Sequence, residues 1–140
     1  MADSIFTTDA TSSGGGRNGR VRSSDGFVDQ DLKMPPELGG PGGATNPEQL
    51  FAAAYASCFH GALRLAAGKQ KVTVPDEATV TAQVGLAKDE TSFAVSATIT
   101  AHLPGLEQSV ADGLVEAAHQ VCPYSKATRG NVEVQLAATV

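Results

Sequence analysis

Cys58 and Cys122 are the residues of this chain with the widest chemistry open to them, and the sequence contains no other cysteine. A thiolate attacks electrophiles, binds metals and forms disulfides, whereas a protonated thiol in an apolar pocket is inert. A metal site is disfavoured: there is no CxxC, HxH or HExxH, and His60, His102 and His119 are scattered. No metal and no cofactor is therefore expected. The stretch CPYS at 122–125 has Ser125 where a dithiol motif would place a second cysteine. It also follows a helix near the end of the chain rather than an early strand, which excludes a thioredoxin-like site. What remains is a choice between inert core cysteines and a redox pair that only the fold can assemble.

On a helix, Cys58 has Phe51, Ala54, Tyr55, Gly61, Ala62 and Leu65 as its neighbours three, four and seven residues away. All are apolar apart from the tyrosine hydroxyl. Such a setting raises a thiol pKa, so a reactive Cys58 needs a cation from elsewhere. Arg17, Arg20, Arg22 and Arg129 are the candidates, and the pattern does not rank them. Cys122 precedes Pro123, which disfavours helical geometry in the residue before it. Cys122 should then close one helix or open another, at a break where the backbone can yield to let a thiol move. Glu48 lies in a first helical turn, where an acid complements the helix dipole and could also hold an arginine by a bidentate pair. Glu48 and Cys58 lie about 15 Å apart along a continuous helix, too far for one arginine to bridge. Either the helix breaks between them, the arginine swings, or a second subunit supplies one group. Tyr124 and Ser125 read equally as pocket lining or as turn residues.

These residues must be positioned by an α+β domain. Asn18-Gly19 and Asp25-Gly26 are hairpin dipeptides favouring type I′ turns. They predict a β-meander with strands at about 4–15, 20–24 and 27–33, and Arg17 just before or within the first turn. A Pro/Gly loop at 35–45 leads to Asn46 as a cap, Pro47 at the first helical position and Gln49 completing a capping box. The helix then runs to about Ala67 with Gly68 as its stop. It is small and apolar almost all round, which predicts a buried central helix. Residues 78–86 and 92–102 read as strands. A second helix over 105–121 carries an apolar stripe of Leu106, Val110, Leu114, Ala117 and Val121. A short helix or turn and a final strand close a single domain spanning 1–140.

A net charge of −5 excludes a phosphate-backbone binder, so no nucleic acid is expected. No apolar run reads as long and unbroken enough to span a bilayer. The first dozen residues are polar and acidic, without the features of a secretory signal. Together these predict a cytoplasmic protein with no membrane partner.

Four stretches then carry a resemblance: GGRNG at 15–19, LGGPGG at 38–43, NPEQLFAAAYASCFHGAL at 46–63 and VCPYSKATRGN at 121–131. In this order the chain resembles the organic hydroperoxide resistance (Ohr) branch of the Ohr/OsmC family over nearly its whole length. The resemblance implies an OsmC-like α+β fold working as an intertwined homodimer with two active sites at the subunit interface. It implies a cysteine-based peroxidase acting on organic hydroperoxides, fatty-acid hydroperoxides among them, and protecting against oxidative stress. Cys58 would be the peroxidatic thiol, Cys122 its disulfide partner, and Arg17 with Glu48 the pair that organises the site. The implied reductant is a dihydrolipoyl-bearing protein. The apolar wall of Phe51, Ala54, Tyr55 and Leu65 would accept the alkyl part of the peroxide.

Overall fold

The computed structural model describes residues 2–140. The chain forms two compact units, Met1–Leu50 and Phe51–Val140. In the first, β1 (Ala10–Gly15), β2 (Asn18–Ser23) and β3 (Asp29–Asp31) form an antiparallel sheet in chain order, the expected meander. β3 is shorter than predicted and β1 begins later.

The first turn differs from its prediction. Gly15 pairs with Asn18, so the two loop residues are Gly16 and Arg17, and Asn18-Gly19 already belongs to β2. Gly16 has φ 66° while Arg17 keeps a negative φ, the pattern of a II′ rather than a I′ turn. The Asn18 side chain is engaged instead by accepting the Met34 N–H at 3.0 Å. The second turn falls around Asp25-Gly26 as predicted but spans Ser24–Val28. The Asp25 carboxylate accepts the Phe27 N–H and the Ser23 hydroxyl, and this local bonding replaces a two-residue turn. A short 3₁₀ turn, Pro36–Leu38, follows.

The helix α1 (Pro47–Lys69) starts where the sequence places it, with Asn46 Oδ1 accepting the Gln49 N–H at 2.9 Å. The capping box is only half formed, because Gln49 Oε1 accepts the Thr45 hydroxyl at 2.8 Å rather than returning to Asn46. The helix runs past Gly68 to Lys69, and Lys71 takes the left-handed conformation after it with φ 57°. By length and composition alone α1 could cross a bilayer, having 23 residues and a mean hydropathy of 1.2 in its most apolar window. The expectation that no run meets that test therefore does not hold. In this structure α1 is the central core helix, burying Tyr55, Phe59, Ala62, Leu63, Ala66 and Ala67. Its opposite face, with Ala53, Ser57, Gly61 and Leu65, is exposed within the single chain.

The rest of the second unit is a sheet ordered β4 (Thr79–Lys88), β5 (Phe93–His102), β6 (Glu133–Thr139). β4 pairs antiparallel with β5, whereas β6 pairs parallel with it, a geometry that requires a crossover between β5 and β6. α2 (Gln108–Val121) and α3 (Pro123–Thr128) make that crossover. β5 buries Ala97, Ile99 and Ala101 on one face, the period-two pattern of a strand covered on one side. α2 starts three residues later than predicted and presents a different stripe. Ala111, Leu114, Val115 and Ala118 are buried, while Val110 and Val121 are 36% and 47% exposed. Within α2, Leu114 is the one fully buried position shared by the two readings; Val115, with Ala111 and Ala118, faces the core in place of Val110 and Val121. Replacing a fully enclosed side chain of this cluster such as Phe59 by alanine should cost about 3–5 kcal/mol.

Candidate active site

Cys58 lies midway along α1, half-buried at the margin of the cluster that includes Tyr55, Phe59 and Cys122. Cys122 is fully buried. The two sulfurs are 3.7 Å apart, and both thiols are free, the Cys122 S–H directed at the Cys58 sulfur. A disulfide bond is about 2.05 Å long, so less than 2 Å of closure joins them.

Pro123 explains how Cys122 is placed. Both of the sequence alternatives hold at once, since Cys122 closes α2 and caps α3. Its φ of −67° and ψ of 123° are the extended geometry that a following proline imposes. Its N–H donates to Ala118 O at 2.8 Å and its carbonyl accepts the Lys126 N–H at 3.0 Å. At the break between α2 and α3, Cys122 thus keeps a helical hydrogen bond on each side.

Burial pushes the Cys58 thiol up from its ordinary value, as its apolar helix neighbours imply. The nearby backbone N–H of Tyr124, in the first turn of α3, pulls the other way, while the neighbouring Cys122 raises it further. Tyr124 itself is 39% exposed. Ser125 is not a turn residue. It is fully buried in α3 and bonds to the Tyr55 hydroxyl at 2.9 Å, and Thr128 reaches the same hydroxyl at 3.2 Å. The sequence carried a signal for this, because once Pro123 opens a helix, Cys122, Ser125 and Thr128 recur every third residue on one face.

In the first unit, Arg17 in the β1–β2 turn donates from both terminal nitrogens to the Glu48 carboxylate, at 3.0 and 2.9 Å. This is the bidentate arrangement expected of the pair. The Arg17 guanidinium holds the Glu48 carboxyl below its usual range, and Glu48 raises the Arg17 pKa in return. The other arginines are engaged differently. Arg20 bonds to Asp29 at 2.8 Å with Asp31 nearby, Arg22 lies 3.7 Å from Asp29, and Arg129 donates to the His119 carbonyl. The unbroken course of α1 removes a helix break as the answer to the spacing of Glu48 and Cys58.

Of the proposed pocket wall, Tyr55 is fully buried, Phe51 packs edge-on against it with ring centres 5.9 Å apart, Ala54 is half-buried, and Leu65 is 56% exposed. His119 keeps its Nδ1 buried without a hydrogen-bond partner, and burial lowers its pKa. Among the described residues no group of three or more His, Cys, Asp and Glu side chains is arranged to hold a metal ion.

An α+β fold that brings two free thiols to near-bonding distance defines a dithiol redox protein. A family model described as OsmC-like protein matches residues 40–137. An organic hydroperoxide resistance protein from Xanthomonas axonopodis pv. citri is 46% identical over 133 residues, covering 94% of this chain and 93% of that protein. An organic hydroperoxide resistance protein-like 2 from Staphylococcus epidermidis is 48% identical over 143 residues, covering 99% of each. The crystal structure of an organic hydroperoxide resistance protein from Legionella pneumophila superposes with a TM-score of 0.92 at 49% identity, covering 99% of this chain and 100% of that one. The chain belongs to the Ohr/OsmC family.

Proposed function

We propose that this protein is a thiol-dependent peroxidase that reduces organic hydroperoxides, including fatty-acid hydroperoxides, to alcohols and so protects against oxidative stress. The observation that carries this reading is the 3.7 Å separation of two free cysteines in the fold of this family. The Cys58 thiolate attacks the terminal peroxide oxygen. The O–O bond breaks, the alkoxide leaves as alcohol after taking a proton, and Cys58 becomes a sulfenic acid. The Cys122 sulfur attacks the Cys58 sulfur and displaces the hydroxyl as water, leaving a Cys58–Cys122 disulfide. A dithiol donor reduces it by exchange.

Arg17 is assigned the cation that favours the Cys58 thiolate and orients the peroxide, and Glu48 the acid that holds Arg17. Their bidentate pair supports this assignment. With α1 continuous, the spacing of Glu48 and Cys58 leaves a swinging arginine or a second subunit to complete the site. A homodimer is the proposed assembly. It is supported by the small, exposed α1 face of Ala53, Ser57 and Gly61 and by the exposed Ile5, Phe6 and Phe27. Near-equal lengths of chain and relatives support reading 1–140 as one functional domain. A dihydrolipoyl-bearing protein is the proposed reductant, and two free thiols suit the reducing cytoplasm. Phe51, Ala54, Tyr55 and Leu65 are the proposed pocket wall, with Leu65 open to an alkyl chain and Tyr55 confined to shaping the floor.

Stopped-flow mixing of the reduced protein with cumene or tert-butyl hydroperoxide tests the reading. Rapid loss of two thiols per chain that is abolished in Cys58→Ser is expected. Absence of fast thiol loss would leave a small-molecule-binding protein as the better account.

A further inference from the structure

Three hydroxyls inside an otherwise apolar core have a use that the chemistry above does not claim. Tyr55 and Ser125 are fully buried and Thr128 nearly so. The Tyr55 hydroxyl lies 2.9 Å from Ser125 Oγ and 3.2 Å from Thr128 Oγ1, and Thr128 Oγ1 also donates to the Ser125 carbonyl at 3.1 Å. Buried hydroxyls are costly unless bonded, and apolar side chains of similar size would fill the same space without that requirement.

Their positions relative to the cysteines are regular. Tyr55 is one helical turn before Cys58 on α1, and Ser125 is three residues after Cys122 at the start of α3. The sulfur pair and the Tyr55–Ser125 pair are therefore successive rungs between the same two helical segments, which run in opposite directions. Thr128 extends the second rung by another turn. The Tyr55 ring is fixed in turn, edge-on to Phe51 and 6.0 Å from the tilted Tyr124 ring. α3 has only six residues and is held locally by this bonding. Its first turn carries both the Cys122 carbonyl bond and the Tyr124 amide that meets Cys58.

We propose that Tyr55 is a positioning residue for the thiol pair. Through Ser125 and Thr128 its hydroxyl holds the first turn of α3 against α1, keeping the Cys122 sulfur in reach of Cys58 for disulfide closure. This rests on the peroxidase reading for its biological meaning, but the clamp itself is a property of the two thiols and two helices. When the clamp is loosened at Thr128, which lies outside the pocket wall, the folded protein still forms the Cys58 sulfenic acid, but Cys122 reaches it more slowly, and a second peroxide molecule then oxidises Cys58 to the sulfinic acid.

The experiment compares full-length wild-type, Tyr55→Phe, Thr128→Val and Thr128→Ser proteins. Disulfide closure is followed after cumene hydroperoxide and, in parallel, after diamide, and sulfinic acid at Cys58 is measured by mass spectrometry. Losing both hydrogen bonds of the buried Tyr55 hydroxyl should slow closure about tenfold or more in Tyr55→Phe. Thr128→Val should slow it less, and both variants should accumulate sulfinic acid with rising peroxide. Thr128→Ser, which keeps the hydroxyl, should restore wild-type closure. If Tyr55→Phe does not fold, the contrast between Thr128→Val and Thr128→Ser decides the matter. Wild-type closure in Tyr55→Phe, or equal slowing in both Thr128 variants, would overturn the proposal. If wild type ignores cumene hydroperoxide, the peroxidase reading fails, while the diamide arm still decides on the clamp.

Discussion

The Arg17–Glu48 pair and the Cys58–Cys122 pair are built by opposite physical means. In the first, two opposite charges share two short hydrogen bonds, with the arginine side chain 42% exposed on a hairpin turn. In the second, two neutral thiols face each other beside an apolar cluster, and burial opposes ionisation of Cys58. A guanidinium keeps its charge in either environment, whereas a thiol loses its nucleophilic form when desolvated alone. A cysteine at the margin of an apolar cluster, such as Cys58, therefore needs an imported cation to act as a nucleophile. Cys122, fully enclosed, has its position set by the packing of α2 and α3 around it.

Removing the nucleophile should break this contrast most severely. Cys58→Ser is expected to abolish hydroperoxide consumption, as read by loss of peroxide in a coupled assay. Arg17→Ala should come next, slowing Cys58 oxidation by orders of magnitude in stopped flow. The pH profile sharpens that expectation. Burial holds the Cys58 pKa above the ordinary thiol value in the intact chain, so the wild-type rate should climb into the alkaline range, and an arginine that reaches the thiol in the working site should place that climb at lower pH than in Arg17→Ala. Superimposable pH profiles in wild type and Arg17→Ala would detach the arginine from the thiol.

Cys122→Ser should leave the first oxidation nearly intact but stop turnover, with sulfenic and then sulfinic acid at Cys58 visible by mass spectrometry. Glu48→Gln should have a smaller effect, about tenfold on kcat/KM, because it loosens the arginine without removing it. The wild-type ion pair has a defined acid limit. Its carboxyl is held below the usual range, so the stabilisation is present above the unfolded carboxylate pKa and lost as pH falls through the lower folded value, below about pH 4. Acid titration of wild type against Glu48→Gln should show the two converging there. Leu65→Ala should change stability by about 0.5 kcal/mol or less, given its exposure. A rise in KM confined to long-chain hydroperoxides would place Leu65 on the pocket wall, and unchanged KM would remove it.

Local chemistry made much of the fold legible. Pro47 and Asn46 mark the start of α1, Pro123 marks the start of α3, and the β-rich runs 78–86 and 92–102 mark β4 and β5. Where the reading failed, two patterns competed and only packing could choose. The apolar stripe of α2 was legible as Val110–Leu114–Val121, but the parallel β6 and the short α3 turn Ala111, Leu114, Val115 and Ala118 inward. The first hairpin turn moved from Asn18-Gly19 to Gly16-Arg17 because Gly16 supplies the positive φ and the Asn18 side chain bonds to Met34 instead.

By itself, the sequence determined the types of the reactive groups, the helix on which Cys58 rides and the break at which Cys122 sits. These follow from residue spacing and proline geometry, which act over a few residues. The tertiary structure alone decided that the two sulfurs lie 3.7 Å apart. It also set the bidentate geometry of Arg17, one of the four candidate arginines, on Glu48, and the burial of Ser125 and Thr128 against Tyr55. Each of these joins segments far apart in the chain. Such a pairing is set by how whole elements pack around a shared core, and no local propensity encodes it.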